Sequence, residues 1–119
     1  MGYRRMAVYE KSYAAALEIY QISKSYPKEE LYAMTSQIRR SAVSIPLNIA
    51  EGYGKRESQA EFRRFLMMAI GSDDEVKVLL EFAKDLKYIS ESEYTEMRRK
   101  YVEIGKMLTS MVKTIEANI

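Results

Sequence analysis

The sequence predicts an all-α protein, an antiparallel up-down-up-down four-helix bundle. Only 2 Pro and 5 Gly occur among the 119 residues, too few for the turn-rich composition of a small all-β domain. Apolar residues recur every three or four positions in four successive segments, which is the period of an amphipathic helix. The segments are joined by short connections, and these favour antiparallel neighbours. We expect residues 1–119 to form one domain.

The composition also excludes several classes of function. The chain has no Cys and no His, which removes disulfides, thiolate nucleophiles, common zinc sites and imidazole bases. Acid–base or Mg²⁺ chemistry on Asp and Glu remains possible in principle. No residue pattern calls for it, and we expect neither a metal nor a cofactor. No apolar run approaches the roughly 18 residues of a membrane span, and the first residues lack the apolar stretch of a signal peptide. A cytoplasmic protein without membrane association is expected.

The first two helices are predicted over residues 5–24 and 27–52. In the first, the stripe expected to be buried consists of Met6, Tyr9, Tyr13, Ala16, Leu17 and Tyr20. The second begins at Pro27, which suits the first helical position. Its stripe consists of Leu31, Met34, Ile38, Ala42, Ile45 and Ile49. This register continues across Pro46, so we expect a kinked helix in which Ser41 and Ser44 bond the freed backbone groups.

The third and fourth helices are predicted over residues 58–87 and 90–117. Each begins with a capping box, in which a serine and a glutamate three residues later bond each other's backbone N–H. The third helix has the apolar stripe Phe62, Phe65, Leu66, Ala69, Ile70, Val76, Leu80, Ala83 and Leu86. The fourth has Tyr94, Met97, Tyr101, Ile104, Leu108, Met111 and Ile115.

The stretch SIPLNIAEGYGKRES, residues 44–58, contains the least regular part of the pattern. It could be a phosphate-binding loop, but it lacks the spacing of a Walker A loop or a dinucleotide-binding loop. We favour a structural interpretation, in which Gly52 ends the second helix in a left-handed conformation and Gly54 allows the chain to reverse.

The same stretch places polar residues on a helix face. Ser44, Asn48 and Glu51 lie three or four residues apart, and polar groups inside a bundle need partners. We expect Asn48 or Glu51 to contact the third helix near Ser72, where Gly71 would allow another helix to approach closely.

Charge is unevenly distributed, although the net charge is only +2. Residues 31–70 carry six basic and three acidic residues. Residues 71–96 carry three basic and eight acidic residues, and residues 97–119 carry five basic and two acidic residues. Nine basic residues are candidates for contacting nucleic-acid phosphates. They are Arg39, Arg40, Lys55, Arg56, Arg63, Arg64, Arg98, Arg99 and Lys100.

Two other interpretations of the charged residues stay open. The basic residues could be solvated helix faces or could form salt bridges between subunits with the acidic segment 73–96. The acidic residues Glu51, Asp73, Asp74 and Glu75 could in principle hold a metal in an enzyme. We disfavour an enzyme because bundle metal sites use a Glu-x-x-His element, which this chain cannot supply.

Two segments, QIRRSAVSIPLNIAEGYGKRES and EFRRFLMMAIGSDDEVKVLLEFAKDLKYIS, closely resemble the family of 23S rRNA intervening sequence proteins. The most specific patterns are Q-x-x-R-x-[SA]-x-S-I-P-x-N-I-A-E-G and F-x-x-F-x-x-x-A-x-G-S. The resemblance implies a bacterial four-helix bundle with a left-handed twist that assembles into a homopentamer and has no catalytic residues. The chain departs from the family at Leu47, usually a small polar residue, and at Asp73-Asp74, usually a more apolar dipeptide.

The residues and the resemblance together predict a non-enzymatic homo-oligomer that associates with nucleic acid, foremost structured RNA such as rRNA. No aromatic-and-basic RNA-reading motif is present, so recognition of backbone and shape is expected. The alternative is a scaffold that binds a protein partner such as a reverse transcriptase. This alternative follows from a related branch of the family, the accessory proteins of diversity-generating retroelements.

Overall fold

The computed structural model describes residues 2–118, and its four α-helices confirm the all-α class. The helices are α1 (Ala7–Ile22), α2 (Ser36–Gly54), α3 (Gln59–Asp85) and α4 (Glu91–Asn118). Short 3-10 turns at Gly2–Arg5 and Ser23–Ser25 flank α1. A 3-10 turn at Lys28–Glu30 and a π-turn at Leu31–Thr35 lead into α2. No helix within residues 2–118 is long and apolar enough to cross a membrane.

Neighbouring helices pack in chain order, and α1 also contacts α4 and closes the bundle. Contacting residues are numbered in opposite directions on α2 and α3, where Ser44 meets Ser72 and Gly52 meets Phe65. The bundle measures 46 × 23 × 21 Å. The left-handed twist stays a prediction.

The structure buries a different face of α1 from the predicted one. Tyr13, Leu17 and Tyr20 are 52%, 57% and 40% exposed. The buried residues of α1 are Val8, Ser12, Ala15, Ala16 and Ile19. Ala16 belongs to both sets, and Met6 and Tyr9 are partly buried against the core, so the buried face is rotated from the predicted one. The prediction was wrong for Tyr13, Leu17 and Tyr20 because it followed the bulkier residues.

The predicted stripes of the other three helices are confirmed in their central parts. The buried core contains Ile38, Ala42, Ile45 and Ile49 from α2, Leu66, Val76 and Leu80 from α3, and Tyr101, Ile104 and Leu108 from α4. The predicted stripes of α2 and α3 were wrong at one end each, because Leu31 and Leu86 are 46% and 49% exposed. In α2, α3 and α4 periodicity therefore located the core except near the ends of the predicted helices.

The second helix runs through Pro46 without a break, as its apolar register predicts. Ser44 Oγ donates to the carbonyl oxygen of Ser41 at 2.9 Å, and Asn48 Nδ2 donates to the carbonyl oxygen of Ser44 at 2.8 Å. The carbonyl that Pro46 leaves without an intrahelical N–H is that of Ala42, and neither of these bonds reaches it, so the expected bonding of the freed group by Ser41 and Ser44 is not observed within residues 2–118. The kink stays a prediction. Pro27, in contrast, is not helical, since its ψ is 148° and the following turn begins at Lys28.

Two of the three interpretations made for glycines were wrong. The helix continues past Gly52 to Gly54, and the positive φ angles within residues 2–118 belong to Gly2 and Lys87. A Cβ on Gly52 would lie 2.8 Å from Phe65 Cβ, so this glycine allows α2 and α3 to approach closely. Gly71 has the opposite environment, because a Cβ there would meet no atom within 4 Å. Gly54 is equally open and ends α2, at the reversal expected there.

The capping box predicted for α4 is complete. Ser90 Oγ accepts from the N–H of Glu93 at 3.0 Å, and Glu93 Oε1 accepts from the N–H of Ser90 at 2.9 Å. At the start of α3 only half of the box forms. Ser58 Oγ accepts from the N–H of Glu61 at 3.2 Å, but the Glu61 carboxylate bonds Arg64.

Candidate nucleic-acid and self-association surfaces

Four of the nine candidate phosphate-binding residues make ion pairs inside the chain. Arg63 pairs with Glu116 at 2.7 Å, Arg64 with Glu61 at 3.0 Å, and Arg99 with Glu96 at 2.6 Å, while Lys100 pairs with Glu18. The hydrogen bond from Arg64 lowers the pKa of Glu61, and that from Arg99 lowers the pKa of Glu96. Three of these pairs are exposed and the pair of Lys100 with Glu18 is partly buried. Exposed pairs stabilise a fold only slightly, but each pair offsets a positive charge.

Aromatic rings hold the basic residues at the connection between α2 and α3. The Arg56 guanidinium lies 4.0 Å from the centroid of the Tyr53 ring and donates to the Tyr53 carbonyl oxygen at 2.9 Å. Lys55 and Arg64 lie 5.7 Å and 4.5 Å from the centroid of the Phe65 ring. Cations over ring faces are attracted by the ring quadrupole. We call the basic group Lys55, Arg56, Arg63 and Arg64 the turn surface.

The fold adds two basic residues near the turn surface that sequence reasoning missed. The N-terminal turn packs on α2, and a Cβ on Gly2 would lie 3.3 Å from Tyr53 Cε2. This contact brings Arg4 and Arg5 toward the same end of the bundle. Two adjacent arginines were visible in the sequence, but their position required the packing of the N-terminus on α2.

The remaining candidates do not join the turn surface. Arg39 donates to Ser23 Oγ at 2.8 Å, and Ser23 follows the C-terminal end of α1, at the opposite end of the bundle. Arg98 is exposed and makes no ion pair with residues 2–118. Arg40 is also exposed without an ion pair among these residues, and it lines a polar groove between α2 and α3. The nine residues thus lie on several surfaces.

The expected polar contact with Ser72 exists, but it involves a different residue of α2. The Ser44 and Ser72 hydroxyls share a hydrogen bond. Asn48 bonds its own helix and Glu51 is exposed. The prediction of Asn48 or Glu51 was therefore wrong, because the antiparallel register places Ser44 opposite Ser72.

Asp73, the residue after Ser72, is buried on the other side of α3 with 0% exposure. Its Oδ2 lies 3.1 Å from Lys77 Nζ, yet neither carboxylate oxygen accepts a well-aligned hydrogen bond. Burial raises the pKa of Asp73 to about 6, although Lys77 opposes this shift. The buried Tyr101 hydroxyl is also unpartnered, and burial, with a smaller effect of Asp73, raises its pKa.

The acidic residues do not form a metal centre within residues 2–118. Asp73 lies against Gly105 of α4, whereas Glu75 accepts a hydrogen bond from Gln37 of α2 at 3.2 Å. The two carboxylates therefore point toward different neighbouring helices and do not share one site.

Two apolar surfaces remain exposed on different helices. The α1–α2 groove has a volume of about 350 Å³ and is lined by Tyr13, Leu17, Tyr20, Pro46 and Leu47. Leu47 is 61% exposed there. The second surface, the α3 stripe, consists of Val78, Phe82 and Leu86, which follow one another at steps of four and are 52%, 55% and 49% exposed. Clustered apolar exposure of this kind is typical of interaction sites.

Comparison with known proteins places the fold in a family. Residues 4–110 match the family model described as 23S rRNA-intervening sequence protein. A similar solved structure is a protein with unknown function from the S23 ribosomal protein family of Bacteroides thetaiotaomicron VPI-5482. The two chains are 32% identical with a TM-score of 0.81, over 89% of this chain and 95% of that one. No curated protein matches. The chain belongs to the family of 23S rRNA-intervening sequence proteins.

Proposed function

We propose that this protein is a non-enzymatic homo-oligomer that associates with nucleic acid, foremost structured RNA. The observation that supports self-association most directly is the presence of two separate apolar surfaces, the α1–α2 groove and the α3 stripe. The groove of one copy receives the α3 stripe of the next. Burying Leu17, Leu47 and Phe82 in this contact removes apolar area from water, which favours association.

A contact between two different surfaces is heterologous, because each copy still carries one unused surface of each kind. Such contacts form a closed ring when the rotation between copies closes. Five copies is the number that the resemblance implies. The departure at position 47 fits this arrangement, since Leu47 adds apolar area to the groove where the family usually has a small polar residue.

Nucleic acid binds through the turn surface, repeated in every subunit. Lys55 makes no ion pair within residues 2–118, and the Tyr53 ring holds Arg56 in place. Repetition around a ring multiplies a small set of cations, and cations that neutralise phosphates release counterions. Contacts of this kind recognise backbone and shape and require no base-specific motif.

Light scattering on two variants tests the self-association. Leu17→Lys breaks the groove and Phe82→Lys breaks the α3 stripe, so each variant alone should be a monomer. Mixed together, they should form a one-to-one dimer, because one variant retains the stripe and the other retains the groove. Leu31→Lys is the control, since Leu31 is 46% exposed and belongs to neither surface. An unchanged mass for both variants contradicts the interface, and a mixture that stays monomeric contradicts the heterologous pairing.

A salt series with an rRNA fragment and a DNA duplex tests the second part of the proposal. Affinity should fall steeply with added salt. Replacing both Lys55 and Arg56 with Gln should lower the slope by about one unit for each phosphate that the variant no longer neutralises. Binding that is absent at low salt, or indifferent to salt, would remove nucleic acid from the proposal and leave self-association intact.

A second candidate function is a scaffold for a protein partner such as a reverse transcriptase. The internal ion pairs of Arg63, Arg64, Arg99 and Lys100 favour it, since they reduce the charge available for phosphates. Genome position separates the two candidates. A gene inside an rRNA insertion favours RNA, and a gene beside a reverse transcriptase with a variable repeat favours the scaffold.

A further inference from the structure

A polar groove of about 470 Å³ lies between α2 and α3, beside the π-turn that precedes α2. Tyr32, Gln37, Arg40, Ser44 and Glu75 are among its lining residues. The groove lies away from the turn surface, and its residues take no part in the self-association proposed above. Several belong to the pattern Q-x-x-R-x-[SA]-x-S, for which neither surface accounts.

The π-turn presents an aromatic ring to solvent at the edge of this groove. Ala33 has non-helical angles of φ −124° and ψ −105°, and the adjacent Tyr32 is 93% exposed. A ring so exposed contributes almost nothing to the packing of its own chain. Residues held in sparsely populated φ and ψ regions cost energy and cluster at functional sites. The local distortion therefore points to a role for Tyr32 outside the bundle.

Beside this ring the groove has a cation that the chain leaves unused. Arg39 donates to Ser23 Oγ at 2.8 Å and lies over the Tyr20 ring, whereas its neighbour Arg40 is exposed with no ion pair to residues 2–118. Glu75 also lines the groove, and it accepts a hydrogen bond from Gln37 Nε2 at 3.2 Å. The groove thus offers an aromatic face, a guanidinium, an amide and a carboxylate.

We propose that this groove binds one unpaired nucleotide of a single-stranded nucleic acid. The Tyr32 ring stacks on the base, Arg40 contacts a phosphate, and Gln37 and Glu75 bond the edge of the base. Base stacking on aromatic side chains combined with contacts from cations is the common mode of single-strand binding. The inference rests on the proposed association with nucleic acid and adds a second, base-contacting site to it.

The carboxylate selects a nucleotide over a simple anion. Glu75 offsets the charge of Arg40, so a free phosphate would find little net attraction in the groove. A base carries amino or ring N–H donors that a carboxylate can accept, and its flat face matches the exposed ring. A duplex offers no unstacked base to Tyr32 and should bind without this groove.

The test compares a short single-stranded oligonucleotide with its own duplex, using fluorescence anisotropy on the full chain. Tyr32→Ala should weaken single-strand binding about tenfold, the usual effect of losing one stacked base, and should leave duplex binding unchanged. Tyr32→Phe should retain the affinity of the unchanged chain, because it keeps the ring. Arg40→Gln should also weaken binding, whereas the control Arg98→Gln, at an exposed cation outside the groove, should have a smaller effect.

The outcomes separate this inference from the proposed function. If Tyr32→Ala binds the single strand as well as the unchanged chain while the salt-dependent duplex binding persists, the groove is not a nucleotide site and the proposed function stands. If Tyr32→Phe is as weak as Tyr32→Ala, stacking is excluded. If Tyr32→Ala instead lowers the oligomer mass, the groove is a contact between copies. If neither nucleic acid binds at low salt, the nucleotide site and the nucleic-acid part of the proposed function are both excluded, whereas the proposed self-association is unaffected.

Discussion

Helix α3 is approached by a glycine from each of two neighbouring helices, but the two glycines face different chemistry. Gly52 of α2 lies against the Phe65 side chain, where an added Cβ would be 2.8 Å from Phe65 Cβ. Gly105 of α4 lies against Asp73, where an added Cβ would be 2.8 Å from Oδ2. The contact between α2 and α3 thus packs a glycine on an aromatic side chain, and the contact between α4 and α3 packs a glycine on a carboxylate.

The same contrast appears in two consecutive residues of α3. Ser72 is half-buried toward α2 and bonds the Ser44 hydroxyl. Asp73 is fully buried toward α4, and its nearby charge is Lys77, on its own helix. A buried polar group costs little when it is bonded and much when it is not. The α2 side of α3 is therefore the satisfied interface, and the α4 side carries a cost that the rest of the fold offsets.

The largest expected effect on stability is at the contact between Gly52 and Phe65. Gly52→Ala forces a methyl group into Phe65 Cβ, which is close to the backbone and cannot move away, so we expect the free energy of unfolding to fall by about 3 kcal/mol. Gly71→Ala is the matched control, because nothing lies within 4 Å of the added methyl, and it should stabilise the helix by up to about 1 kcal/mol. Chemical denaturation measures both. Equal effects of the two substitutions would contradict the close approach at Gly52.

The next largest effect is a pH dependence of stability that comes from Asp73, which is buried between α3 and α4. The pKa of Asp73 is about 6 in the folded chain, against an ordinary value of 3.8. The folded state thus holds this proton more tightly than the unfolded state, and the contribution of Asp73 to stability falls as pH rises from about 4 to 6. At about 1.4 kcal/mol per pKa unit this loss is about 3 kcal/mol at pH 7. Asp73→Asn removes it but leaves a buried amide in place of the carboxylate, so the protein should be stabilised by about 2 kcal/mol at pH 7.

The difference in stability between Asp73→Asn and the unchanged chain should shrink as the pH falls toward about 4, because Asp73 is then protonated in the folded state and increasingly so in the unfolded state. Asp74→Asn serves as the control, since the Asp74 side chain is 67% exposed, and its effect should be small throughout. Urea denaturation at a series of pH values gives the result. A difference that is constant with pH would show that ionisation of Asp73 carries no cost.

A smaller effect is the coupling across the α3–α4 contact. Gly105→Ala should destabilise the chain by about 1 to 2 kcal/mol, because the methyl group meets the Asp73 carboxylate. In an Asp73→Ala background the carboxylate is absent, and most of that loss should disappear. A double-mutant cycle by thermal denaturation measures the coupling, and strict additivity would mean that Gly105 is constrained by something other than Asp73.

The smallest effect concerns the serine pair on the α2 side. A cycle of Ser44→Ala and Ser72→Ala should give a coupling of about 0.5 to 1 kcal/mol, the net value of one hydrogen bond between neutral groups. The corresponding cycle of Asn48→Ala and Ser72→Ala should give almost none, because Asn48 bonds its own helix. A larger coupling for Asn48 than for Ser44 would reverse this assignment.

Part of the candidate site was predictable from the sequence. The sequence shows that Lys55 and Arg56 are adjacent in the connection between two helices. In the structure each of them lies over an aromatic ring. The polar groove was not predictable, because Tyr32 and Arg40 are eight positions apart and are brought to one groove by a π-turn that no residue pattern indicated. Ion pairs such as Arg63 with Glu116 join residues far apart in the chain, and only packing brings them together.

The sequence by itself determined the four helices, most of their buried stripes and the box that begins α4. These features depend on the helical period and on groups within a few residues of each other, which local spacing records. The tertiary structure decided which face of α1 is buried, which glycines meet a neighbour and which residue bonds Ser72. Each of these depends on the distance and register between helices, which are set by side chains remote in the chain. Gly52 and Gly71 look alike in the sequence, and only the position of Phe65 distinguishes them.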